Sequence, residues 1–68
     1  MIDDAIKCYE DALRINDSDG DYHRCLGTCL MMKNEMNKAI KYFQKAIELN
    51  PDDSLAYNNI GSALISMN

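Results

Sequence analysis

Apolar residues recur along this chain at helical spacing. Ile2, Ala5, Ile6, Tyr9, Ala12 and Leu13 fall at the i, i+3, i+4, i+7 positions of one helix face. Met36, Ala39, Ile40, Phe43, Ala46 and Ile47 do the same. Two further segments, 22–33 and 54–67, carry a broader apolar face: Tyr22, Cys25, Leu26, Cys29 and Leu30 in one, Leu55, Ala56, Ile60, Ala63 and Leu64 in the other. Between them lies turn chemistry. Asn16 to Gly20 is a turn-rich stretch, and Asn50-Pro51-Asp52-Asp53-Ser54 stops one helix and can cap the next. Asn34 stands between two periodic runs and suits the left-handed conformation. The pattern predicts four helices of about 13–15 residues, each about 20–22 Å long, and no strand.

The pattern also repeats. Sliding the chain by half its length of 68 residues makes nine positions identical, against about two expected by chance. The identical pairs are Ala5/Ala39, Ile6/Ile40, Lys7/Lys41, Ala12/Ala46, Asn16/Asn50, Asp19/Asp53, Gly27/Gly61, Leu30/Leu64 and Asn34/Asn68. Ile2/Met36, Tyr9/Phe43, Leu13/Ile47, Ile15/Leu49 and Leu26/Ile60 match in character. Gly27 and Gly61 fall mid-helix, where glycine costs about 1 kcal/mol relative to alanine. Close approach of a neighbouring helix is the expected reason at both. Ala39 and Ala46 lie on one face and leave room for another helix, with Phe43 filling the space between them.

A helix–turn–helix period of 34 residues resembles the tetratricopeptide repeat. Residues 20–53 carry its pattern: His23 at the aromatic position, Leu26-Gly27, Leu30, then Ala39, Phe43, Ala46 and the closing Pro51. The last segment repeats the opening half with Tyr57, Ile60-Gly61 and Leu64, and the first repeats the closing half with Ala5, Tyr9 and Ala12. Asp17 replaces the proline there. The resemblance implies an all-α fold, a right-handed α-α superhelix of four antiparallel helices. If A and B are the two helices of a repeat, the chain runs B-A-B-A. Residues 1–16 are helix B of a partial repeat, 20–53 a complete repeat, and 54–68 helix A of another, all within one domain.

Composition narrows the function. Seven cations face eleven acids, a net charge of −4, so neither nucleic acid nor an anionic membrane surface is an expected partner. No apolar run approaches the length that spans a bilayer. Met1 leads into Asp3 and Asp4 rather than a basic segment, so no secretory signal is expected. The odd count of three cysteines then points to reduced thiols in the cytoplasm, or in the nucleus.

Candidate chemistry is thin. Asp17-Ser18-Asp19-Gly20-Asp21 looks like a calcium loop, but placing Gly20 at the loop glycine puts Ile15 and Leu26 at ligand positions. A solvated turn with a helix cap explains it better. Cys25 and Cys29, with His23 and Cys8, lack the spacing of a structural zinc site. No metal, no cofactor and no catalytic residue is assigned, and an enzyme is the least supported class.

The resemblance directs attention to the A helices, which line the concave groove of such arrays. It implies groove positions at Arg24, Thr28 and Met31 in the first A helix and Asn58, Asn59 and Ser62 in the second. Asn59 matches the asparagine that holds an extended peptide's backbone, and Arg24 a position of a carboxylate clamp. Cys25 interrupts the asparagine series, and Thr28 replaces a clamp asparagine. The expected function is a non-catalytic protein–protein interaction module, a scaffold or adaptor taking an extended peptide or partner protein. The alternative is a self-assembling structural module that completes its array with other copies, making a homo-oligomer through open ends. Those ends are read as Ile2, Ile6 and Tyr9 on one side and Leu64, Ile65 and Met67 on the other.

Overall fold

The computed structural model describes residues 1–67 and contains four helices. They are α1 (Ile2–Ile15), α2 (Gly20–Met32), α3 (Met36–Leu49) and α4 (Ser54–Ser66), with no strand among the described residues. The helix joints follow from local side chains. Asn16 and Asn50, one repeat apart, each accept a backbone N–H two residues on, from Ser18 at 3.1 Å and from Asp52 at 3.2 Å. These side chains replace helical hydrogen bonds and turn the chain. Asp19 and Asp53 then cap the next helix, accepting from the N–H of Asp21 at 2.9 Å and of Ala56 at 3.1 Å. Because Asp19 caps so tightly, α2 starts at Gly20, two residues before its apolar face.

Between α2 and α3, Asn34 adopts φ 67°. Glu35 N–H reaches the Leu30 carbonyl and Asn34 N–H the Met31 carbonyl, both at 2.9 Å. This is the Schellman arrangement, with asparagine taking the left-handed position.

Short joints make successive helices antiparallel. Lys33, just past the end of α2, reaches Asp3 at the start of α1 at 2.7 Å, as that arrangement requires. The core runs from Leu13 through Leu26 and Leu30 to Ala39, Phe43, Ala46 and Ala56. The α2–α3 contact is the densest. A Cβ added to Gly27 would lie 2.7 Å from Phe43 Cε1 and 2.8 Å from Cδ1, so the ring occupies the space that any side chain at 27 would need. Ala39 and Ala46 beside it are fully buried.

One expectation is corrected. Gly61 was expected at a close contact, yet among the described residues no neighbouring helix comes within 4 Å of where its Cβ would be. At the other end, Ile6 and Tyr9 are half-buried against the core, and Leu13 is buried in it. Within the molecule α1 turns part of that face onto α2. Ile2 stays exposed, as do Leu64, Ile65 and Met67 on α4.

Candidate functional site

The six expected groove residues sit on α2 and α4, and three of them are joined. Arg24 Nη1 donates to Asp53 Oδ2 at 2.7 Å and lies 3.1 Å from Asp21 Oδ1. Thr28 Oγ1 donates to the Arg24 carbonyl at 3.1 Å, and Asn59 Nδ2 donates to Thr28 Oγ1 at 3.4 Å. This chain of polar contacts spans α2 and α4, helices that otherwise touch little. Asn58 and Ser62 are exposed beside it. Met31 is half-buried and packs against the core, so it also serves the fold.

Arg24 carries more than the sequence suggested. Its carboxylate partner Asp53 is only 6% exposed and also caps α4. Burial works to raise the Asp53 pKa. The Arg24 guanidinium and the N–H groups of Ala56 and Leu55 outweigh it and hold the carboxyl below its ordinary range. The same hydrogen bond to Asp53 raises Arg24. Any ligand carboxylate at Arg24 therefore competes with an internal one. The Asp19/Asp53 identity signalled the cap, which both residues make, but not the ion pair with Arg24.

His23 lies in the core, as its aromatic position implied. Its Nε2 donates to the Asp17 carbonyl at 2.8 Å, and its ring stacks on Tyr42 with centroids 6.1 Å apart. Cys8 is exposed, Cys25 half-buried and Cys29 buried. Burial, then the neighbouring Cys25, pushes the Cys29 thiol up, which disfavours the thiolate and suits a packing role. Among the described residues no three histidine, cysteine or acidic side chains gather at metal-binding distance.

A separate concavity lies elsewhere. A cavity of about 440 Å³ opens between α1 and α3, lined by Glu10, by His23 and Leu30 of α2, and by Lys38, Lys41, Tyr42 and Lys45. It includes none of the six groove residues.

A family model of the tetratricopeptide repeat matches residues 20–53, and a second model of the same repeat matches residues 42–68. The chain belongs to the tetratricopeptide-repeat family. In these terms α2 and α4 are A helices and α1 and α3 B helices. The chain is similar to the peroxisomal targeting signal receptor of Candida glabrata, 38% identical over 55 residues, which is 81% of this chain and 9% of the receptor. It is also similar to those of Saccharomyces cerevisiae, 34% identical over 50 residues, and Pichia angusta, 38% over 50 residues. These matches cover 74% of this chain in each case, but 8% and 9% of the receptors, so it spans less than a tenth of their length. None of its helices among the described residues is long and apolar enough to cross a membrane.

Proposed function

We propose that this chain is a non-catalytic protein-interaction module whose A helices, α2 and α4, hold an extended peptide. One observation carries the reading. Asn59 stands between the two A helices, its amide joined to Thr28, so its side chain is pre-oriented towards the groove. Among the described residues that bond engages one amide N–H, leaving the other N–H and Oδ1 for a peptide's backbone carbonyl and N–H. Asn58 and Ser62, exposed alongside, extend the polar strip.

The relatives support a peptide ligand, since their name makes them receptors for a targeting signal. Free thiols on an acidic chain favour the cytoplasm as its place of work, with the nucleus as a second compartment. Two A helices make a short groove, so the chain alone binds weakly and acts as part of a longer surface.

A peptide ending in Ser-Lys-Leu, a peroxisomal address, is the probe. Titrating it into isotope-labelled protein should move the amide signals of Asn58, Asn59 and Ser62. Asn59→Ala should weaken binding several-fold with helicity unchanged. Signals moving only around Lys38, Lys41 and Lys45 would transfer the reading to the other concavity, and the groove assignment would be lost.

A further inference from the structure

We propose that the cavity between α1 and α3 is a second binding site, which takes an acidic segment of a partner protein with one aromatic side chain seated on its floor. Three consecutive helices wall the cavity, so it does not depend on what precedes or follows the chain, and it shares no residue with the proposed groove. The floor is apolar and aromatic. Leu30 is buried, and the His23 ring stacks on that of Tyr42. His23 Nε2 donates to the Asp17 carbonyl, which leaves Nδ1 an acceptor in the neutral ring. Nδ1 is buried with no partner among the described residues, so the floor has an acceptor to offer an anchor that carries a hydroxyl. The space of about 440 Å³ is ample for one tyrosine side chain.

The rim supplies the charge. Lys38, Lys41 and Lys45 line one wall at i, i+3 and i+7, so a single face of α3 carries three of the chain's seven cations. Lys38 lies 3.5 Å from Glu35, whereas Lys41 and Lys45 have no ion-pair partner among the described residues. Like charges four residues apart weaken a helix. The repeat does not dictate the row. One repeat earlier its places are held by Asp4, Lys7 and Asp11. The packing residues recur between the repeats and these charges do not, so the fold does not require them. Of the chain's eleven acids, Glu10 alone among the described residues lines the cavity, on the opposite wall.

Spacing decides the class of ligand. The three lysines extend over about 10 Å of helix, farther than one phosphate or carboxylate group reaches. An extended peptide covers that distance in about three residues, so successive acidic side chains match the row. Glu10, facing them, is placed to accept a peptide N–H.

The probe is the blocked peptide Asp-Glu-Tyr-Glu-Asp, titrated into the isotope-labelled 68-residue chain. The amide signals of Lys41, Tyr42 and Lys45 should move and saturate. Lys41→Glu should weaken binding at least about tenfold. The same variant should raise the thermal midpoint, because a glutamate four residues before Lys45 supports the helix where a lysine repels, so lost binding is not lost fold. Asn59→Ala should leave the affinity unchanged, which separates this site from the groove. Replacing the peptide's acids by amides, or its tyrosine by serine, should abolish saturation. A neutral peptide that binds as well as the acidic one overturns the proposal, and so does Lys41→Glu binding as tightly as wild type. Inorganic phosphate alone moving the same signals as far would make this a simple anion site. Shifts confined to Asn58, Asn59 and Ser62 would put the peptide in the groove. Either result overturns the proposal as well.

Discussion

Helices α2 and α4 occupy the same place in the repeat and share its spacing, but they live in different surroundings. α2 is covered by α1 on one side and α3 on the other, and Leu26, Gly27 and Leu30 are all buried. α4 packs on α3 and meets α2 only along a narrow polar seam, and Ile60, Gly61 and Leu64 all keep some exposure. Apolar spacing specifies which residues a helix offers to a neighbour. It does not supply the neighbour. A repeat sequence is therefore a set of half-interfaces, and each becomes core only where its complement follows.

The sharpest way to break this contrast is to empty the mated side. Phe43→Ala removes the ring over Gly27 and should cost about 3–5 kcal/mol, comparable to the whole stability of a domain this small. Its circular dichroism should show an unfolded chain or a much lowered midpoint. Asp53→Ala comes next, at about 2–3 kcal/mol, because it leaves a half-buried Arg24 with only the exposed Asp21 and α4 without its cap.

The depressed Asp53 pKa also fixes the sign of an acid effect. Its contribution is fully present above about pH 4, the ordinary carboxylate value, and is lost as pH falls through the lower folded value. In denaturation curves across that window, Asp53→Asn should flatten this part of the pH dependence. An unchanged acid profile in the variant would show that other carboxylates dominate.

Smaller substitutions separate the two glycine sites. Ala46→Leu, beside Phe43 in the fully buried contact, should lower stability by about 1–3 kcal/mol through overpacking. Gly27→Ala should also destabilise, despite the better helix former, because its methyl would meet the Phe43 ring. Gly61→Ala should do the reverse, gaining up to about 1 kcal/mol in the dilute monomer. Thermal melts of the two glycine variants side by side test the contrast directly, and equal shifts of the same sign would erase it.

Much of this fold was legible in the sequence because each signal was local or periodic. Apolar spacing gave the four helices, paired asparagines and aspartates gave the joints, and Asn34 gave the left-handed residue. The misreading arose where an outcome depended on a neighbour. Gly61 repeats Gly27 in sequence, and only the packing around each distinguishes them. Ile6 and Tyr9 could serve an open end or the core, and hydrophobicity alone does not orient α1. The candidate site was legible as positions but not as partners. Arg24 and Asp53 are 29 residues apart, and only the packed array brings guanidinium and carboxylate to 2.7 Å. The lysine-rimmed cavity left no trace because it is the gap between two helices rather than a property of either.

Asp53 has one further consequence. A single carboxylate grips the guanidinium on α2 and the first turn of α4 at once. The two helices are therefore coupled in tilt, since α4 swings away from α2 only by releasing the side chain that caps its own N-terminus. The joint behaves as a strut, reducing two hinge motions to one. If the proposed peptide does lie between the two helices, it meets walls whose spacing is already set, so less ordering is left for the binding event.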